Sequence, residues 1–241
     1  MITLYHCNTS LASYKVRLYL AEKNLPWKSV HVDLRKQEHI TSDYRNINPR
    51  GLVPSLKNEQ DEIIINSTDI IEYLEATYPE PSLLPNDPND QQLIHDLCKE
   101  HEALHDPHLR MLSYYVVFMN PSKQVDTQRI IKMAHSHPSP ERGKFLERAA
   151  KQDFSAEEIT NAKQAVIKAL QHLEKLLQQS NSSFLVGATY SYADAVCTAS
   201  LFRITEVGMQ EEIEKLPALK QWWQAMQARP SFKTAITDLL P

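Results

Sequence analysis

The first eighty residues alternate between two hydrophobic spacings. Ile2, Leu4 and His6 fall on every second position, as in a strand, whereas Tyr14, Val16, Leu18 and Ala21 fit a helix. Val30, Val32 and Leu34 alternate again, giving β-α-β. Val53 to Leu56, the polar turn Asn58-Glu59-Gln60-Asp61 and Ile63-Ile64-Ile65 read as a hairpin. A helix follows, with Ser67 placed to cap it and Ile70, Ile71, Leu74 and Tyr78 in a stripe that would lie on the sheet. The pattern predicts an α/β unit, β-α-β followed by β-β-α, with helices on the faces of a small mixed sheet.

Pro79, Pro81, Pro85 and Pro88 then crowd a short stretch that suits neither a helix interior nor a central strand. We read residues 80–89 as a linker between a first domain, 1–79, and a second, 90–241. Beyond it strand signals vanish. Residues from about Asp90 to Met119 have helical spacing, Ser155-Ala-Glu-Glu158 is a capping box opening a helix to about Gln179, and Ser191-Tyr-Ala-Asp194 is another. Gly187 and Gly208 suit helix flanks, and Pro217 and Pro230 bracket a helix carrying Trp222 and Trp223. The second region is therefore all-α. A polar stretch from about 120 to 154, with Pro121, Pro138 and Pro140, is too long for an ordinary helix connection and reads as a lid or an ordered insert.

Composition narrows the chemistry. The chain has 241 residues but 4 glycines, never two within six positions, so neither a G-x-G-x-x-G nor a P-loop can be written. With 26 Lys+Arg against 30 Asp+Glu, the net charge of −4 gives no footprint for nucleic acid or an anionic membrane. A small-molecule or protein partner is expected. Cys7, Cys98 and Cys197 are odd in number and widely separated, which suits free thiols in the cytoplasm. No apolar run approaches the ~20 residues of a membrane span.

Asn48-Pro49-Arg-Gly-Leu-Val53-Pro54 resembles the N-P-x-x-x-V-P loop of the glutathione transferase superfamily. Asn66-Ser67-Thr-Asp-Ile-Ile-Glu-Tyr-Leu resembles its E/Q-S-x-x-I-x-x-Y-L helix start, and Gly187-Ala-Thr-Tyr-Ser191-Tyr-Ala193-Asp194 its helical-domain capping box. Leu4-Tyr5 through Ser10-Leu-Ala-Ser13 to Arg17 looks like the serine branch, nearest the zeta and tetrachlorohydroquinone dehalogenase types. The resemblance implies a thioredoxin-like first domain, an all-helical second domain and a cytoplasmic homodimer. Glutathione is the implied co-substrate, a small, possibly aromatic or halogenated, electrophile the partner, and no metal is expected. The dehalogenase's reactive cysteine would fall on Ala12, which argues against chemistry that consumes a protein thiol there. A zeta-type isomerase or dehalogenase, and a non-catalytic interaction module, are the alternatives on the same fold.

In such a fold the reactive group sits where the first strand hands over to the first helix, the place of Ser10. Lowering a thiol by two pKa units takes ~2.7 kcal/mol of preference for the thiolate. A helix terminus supplies about 0.3–1 and a charge-assisted hydrogen bond about 1.5–3 kcal/mol, so hydroxyl and dipole suffice together. By resemblance Ser10 donates to the glutathione sulfur, and Pro54 is a cis-proline presenting Val53 to the cysteinyl backbone, beside Leu52. Asn66, Ser67 and Thr68 take the γ-glutamyl carboxylate at a helix start. His39, Arg50 and Arg35 are the candidates for the glycine carboxylate. Arg17 suits an internal ion pair. Ala12, Tyr114, Tyr115 and Phe118 are candidates for the co-substrate pocket, although an aromatic stripe at helical spacing is also ordinary core.

Two rival motifs remain. Cys7-Asn-Thr-Ser10 has the form C-x-x-S, but the nucleophile of cysteine-type relatives lies seven residues before the arginine of this helix, which is Ser10 and not Cys7. Cys98 and Cys197 read as helix-core thiols. His101-Glu102-Ala-Leu-His105 is a literal H-E-x-x-H; without the extended G-x-x-H and with Pro107 just beyond, these histidines read as lining the cleft or a subunit face rather than as zinc ligands.

Overall fold

A computed structural model describes residues 1–119, 125–180 and 182–240; Asn120 and Pro121, at the start of the expected insert, lie outside the described residues. The first third forms a four-stranded sheet in the order β2-β1-β3-β4, from β1 (Ile2–His6), β2 (Trp27–His31), β3 (Ser55–Lys57) and β4 (Ile63–Ile65). β1 runs parallel to β2 across the helix α1 (Leu11–Glu22) and antiparallel to β3, which pairs antiparallel with β4. Leu4 and Leu56, opposite each other in the register, are fully buried. The helix α3 (Ser67–Thr77) adds Ile70, Ile71 and Leu74 to the same core.

Three local readings change. β2 stops at His31, short of Leu34, because the Asp33 carboxylate accepts the N–H groups of Arg35 (2.8 Å) and Lys36 (3.1 Å) and turns the chain. The polar stretch that follows contains a helix, α2 (Ser42–Ile47), capped by Thr41 and burying only Tyr44, too little apolar surface to show a period. Asn66, not Ser67, caps α3: its Oδ1 accepts the Thr68 N–H at 3.1 Å from a backbone with φ 79°, and Ser67 is the first helical residue.

The second region is helical. α4 (Pro88–Ala103) begins earlier than expected because Asp87 caps it and Pro88, carrying no N–H, opens it. Its continuation is irregular: π-helical turns at Leu104–Leu109 and Ser113–Phe118 flank the short α5 (Arg110–Leu112), and Asp106 leaves helical geometry (φ −122°, ψ 112°) before Pro107. Among the described residues the insert forms α6 (Thr127–His135) and α7 (Pro140–Ala150). These two helices touch backbone to backbone. A Cβ on Gly143 would lie 2.4 Å from the Ala134 carbonyl oxygen, so only glycine fits.

α8 (Ala156–Gln179) and α9 (Tyr192–Glu206) both start on complete capping boxes, Ser155/Glu158 and Ser191/Asp194. α9 is buried along most of its length, as a central helix must be. Then come α10 (Gln210–Glu214), α11 (Pro217–Gln227), which buries Trp222 and Trp223, and α12 (Pro230–Ala235). α1 packs against α9 and α12, so one core runs from Leu4 to Ile236. Glu22 seals that seam, accepting two hydrogen bonds of 2.7 Å from Arg229.

Candidate functional site

Sheet register gathers the predicted site. Tyr5 pairs with Ser55, and Ser55 with Ile65, so the end of β1, the start of β3 and the end of β4 share one row. The segments leaving that row are residues 7–10, Val53-Pro54 and Asn66-Ser67-Thr68. With strands ~4.8 Å apart, all three emerge within about 10 Å of one another. Two helix N-termini, those of α1 and α3, open at the same end.

Ser10 is half-buried and caps α1, its Oγ accepting the Ser13 N–H at 3.3 Å. A hydroxyl that accepts still holds a proton to donate, so capping and donation to a ligand are compatible. The Ser10 N–H itself goes to the Cys7 carbonyl (3.1 Å), which leaves the amides of Leu11 and Ala12 as the helix-start donors without an intrahelical acceptor. No acidic side chain occupies this first turn.

Two buried arginines shape the preceding loop. Arg17 donates to the carbonyls of Cys7 (3.0 Å) and Asn8 (3.2 Å) and to Ala235 at the far end of the chain (2.7 Å), while Arg203 of α9 donates to the Thr9 carbonyl. Arg17 is 1% exposed and has no carboxylate partner among the described residues, so the ion pair expected from the sequence is replaced by a set of carbonyls. Arg17 also contacts His6 Nδ1 at 3.0 Å; because a guanidinium only donates, Nδ1 accepts and Nε2–H serves Ser29 Oγ (2.7 Å). Burial, then Arg17, lowers the His6 pKa to about 3, which keeps the ring neutral.

The Val53–Pro54 peptide is cis, and the Val53 N–H and C=O have no partner among the described residues, an open edge suited to strand-like pairing. The loop is braced from below: Tyr44 OH (2.7 Å) and Asn48 Nδ2 (2.8 Å) both donate to the Leu52 carbonyl, and both reach Ser55 Oγ. Leu52 itself is exposed. Asn66 spends its side-chain oxygen on capping, and the Ser67 hydroxyl has no partner among the described residues.

The candidates for the glycine carboxylate diverge. Arg35 and Arg50 are exposed, whereas His39 is buried beside His137, with ring centroids 6.3 Å apart. Burial lowers the His39 pKa to about 4, so it offers an N–H but not a charge. Of the aromatic candidates, Tyr114 packs edge-on against Phe118 (5.3 Å) and against Phe145 of α7 (5.1 Å), while Tyr115 meets Phe154. Phe118 lies 5.0 Å from the Arg203 guanidinium and so adjoins the Ser10 loop. All three candidate rings are half-buried. Burial, and after it the charges of Lys15, Arg110, Arg142 and Arg203, lower the His105 pKa well below its ordinary value. Arg142 forms no ion pair among the described residues.

Other thiols and histidines stand apart. Burial pushes the Cys98 thiol up to about 12 and raises Cys197 as well, so neither is a thiolate. His101 is 1% exposed, not at the cleft or on a surface as the sequence suggested, and burial lowers its pKa to about 3. No group of three His, Cys, Asp or Glu able to hold a metal exists among the described residues.

Comparison with known proteins identifies the family of this fold. Residues 4–82 match the model for the glutathione S-transferase N-terminal domain and residues 142–237 that for its C-terminal domain. The chain belongs to the glutathione S-transferase family. It is 26% identical to glutathione S-transferase TCHQD of Arabidopsis thaliana, over 97% of this chain and 88% of that protein. Over 87 residues, 35% of this chain and 41% of the relative, it is 45% identical to maleylacetoacetate isomerase of Pseudomonas aeruginosa. The crystal structure of the beta-etherase LigF from Sphingobium sp. strain SYK-6 superposes with a TM-score of 0.86 at 26% identity, covering 97% of this chain and 98% of that one.

Proposed function

We propose that the protein is a glutathione transferase in which Ser10 holds the glutathione sulfur as a thiolate for attack on a small electrophile. The observation that carries this is the row Tyr5–Ser55–Ile65, which brings Ser10, Val53 and Ser67 to one end of the sheet. The tripeptide lies along that end: its sulfur at Ser10 Oγ–H and the amides of Leu11 and Ala12, its cysteinyl backbone against Val53, its γ-glutamyl carboxylate at Ser67 and Thr68. The thiol proton leaves to solvent, the sulfur forms a bond to the electrophilic carbon, and the leaving group departs with its electron pair. Leu52, Arg50 and the His39 N–H border the glycine end, and Ala12, Tyr114, Tyr115 and Phe118 wall the co-substrate. Residues 1–79 form the glutathione domain and 90–241 the co-substrate domain, with the 80–89 linker shortened at its end by the start of α4 at Pro88. Three buried free cysteines support a cytoplasmic setting. A homodimer is proposed from the family likeness.

A second reading rests on Arg142, which forms no ion pair among the described residues and lies 5.7 Å from the Phe145 ring that packs on Tyr114. Its guanidinium suits an electrophile bearing a carboxylate, in which the thiolate adds to a double bond, the adduct rotates, and the thiolate is expelled. Relatives named as isomerases are consistent with it.

Ser10→Ala tests the assignment. It removes a charge-assisted hydrogen bond of about 1.5–3 kcal/mol, so kcat/KM in a conjugation assay falls roughly 10- to 150-fold. An unchanged rate at saturating glutathione refutes the role. Absence of calorimetric binding at millimolar glutathione would instead favour an interaction module.

A further inference from the structure

Arg203 lies on the helical domain, 194 residues from the carbonyl it holds. That carbonyl belongs to Thr9, immediately before Ser10. The guanidinium is 2% exposed, and burying one is expensive unless its charge and N–H groups are used. It makes cation–π contacts with two rings, Phe118 at 5.0 Å and Tyr14 at 5.7 Å. Glu206, one turn along α9, approaches Nε at 3.3 Å, and Nη1 meets no acceptor among the described residues. Together with Arg17 it completes a run in which three consecutive carbonyls, those of Cys7, Asn8 and Thr9, are turned toward buried guanidinium groups. In a planar trans peptide the N–H points opposite to the C=O, so the amides of Asn8 and Thr9 face away from that pair.

We propose that Arg203 is a positioning residue for the serine site, through which the helical domain sets both the pose of Ser10 and the electrostatic field at the sulfur held there. This deepens the glutathione reading and rests on it for its catalytic meaning, while its electrostatic content concerns the chain alone. The charged and titratable groups sharing that space are Tyr14 and Arg17 of α1, Cys7 in the loop, Glu206 on α9, and His105. Only an arginine supplies a flat cation that lies against aromatic rings and still reaches a carbonyl; a lysine keeps the charge and loses the fork.

The test places a thiol at the site itself. In the Ser10→Cys variant, the pH dependence of iodoacetamide alkylation reports the ionisation of the new thiol with no glutathione present. Adding Arg203→Gln is expected to raise that thiol's midpoint by about one unit, slowing alkylation at pH 7 several-fold, as loss of a nearby opposite charge does. Arg203→Lys is expected to restore most of the midpoint, but in the Ser10 enzyme to leave the glutathione-conjugation kcat at least five-fold low, because the Thr9 carbonyl is no longer held in plane. A midpoint that does not move in Arg203→Gln overturns the proposal, as does a uniform rate loss at every pH, which is what a merely structural role gives. If Arg203→Gln does not fold, Arg203→Lys decides: full wild-type kcat refutes the positioning role, and reduced kcat in a folded protein with unchanged glutathione affinity supports it. If wild-type protein binds no glutathione, the functional reading fails, and the alkylation comparison is decided separately.

Discussion

The N-termini of α1 and α9 use the same device and end up as opposites. At α9, Ser191 and Asp194 close a box whose carboxylate accepts from Ser191, Leu185 and the Trp222 indole, a dipole end that carries its own counter-charge inside the core. At α1, Ser10 accepts from Ser13, but the third position is a serine, no acid occupies the first turn, and two amides remain open. One serine, three residues ahead of a carboxylate, makes a sealed joint; the other, three residues ahead of a hydroxyl, leaves a positive end ready for an anion. A cap becomes a site when the sequence withholds its own counter-charge.

The sharpest way to break this contrast is at the sealed end. Asp194→Ala leaves two backbone amides and an indole N–H buried without an acceptor, and is expected to lower stability by about 4 kcal/mol, read by urea denaturation. A loss below about 1 kcal/mol would mean that the box is not the joint described.

Acid should attack the neutral histidines next. His6, His39 and His101 have folded pKa values near 3, 4 and 3, below the ordinary 6.5, so the unfolded chain takes up protons that the folded one refuses. Their stability contribution is complete above about pH 6.5 and is lost as pH falls toward 4, at roughly 1.4 kcal/mol per pH unit for each ring. His101, with neither ring nitrogen partnered among the described residues, isolates one of these terms. His101→Phe is expected to flatten the fall between pH 6 and 4 by that amount; an unaltered slope would show that the ring is protonated in the folded state.

The smallest effect lies at the open end. Ala12→Asp supplies the missing counter-charge on α1, stabilising the helix by about 0.3–1 kcal/mol while competing with the thiolate by a similar amount. Conjugation at neutral pH should fall up to about five-fold as thermal stability rises slightly. A gain in both would contradict the comparison.

What the sequence made legible follows from how local each feature is. The boxes at Ser155 and Ser191 are four-residue patterns readable without knowing any distant partner. Ser10, Val53-Pro54 and Ser67 stand out in the sequence because each sits in a short motif with family likeness, and the register of three strands brings the segments that carry them to one end of the sheet. The helix α2 escaped notice because Tyr44 alone faces inward, and its brace on Leu52 uses a backbone carbonyl, which any residue carries. Arg203 escaped for the same reason, and Arg17 was read as an ion pair: their acceptors are carbonyls of Cys7, Asn8 and Thr9, which no side-chain pattern announces. Arg203 is separated from its acceptor by most of the chain.

The row that joins Tyr5, Ser55 and Ile65 acts as a gauge. A molecule that touches Ser10 at one end and Ser67 at the other must bridge two interstrand steps, about 10 Å, a length set by backbone hydrogen bonds. Side-chain substitution can retune either end, and the helical domain can drift toward new electrophiles. Neither changes the interval. The span of the peptide proposed to bind there is thus written into the main chain, beyond the reach of point mutation, while the chemistry proposed for its sulfur stays open to revision.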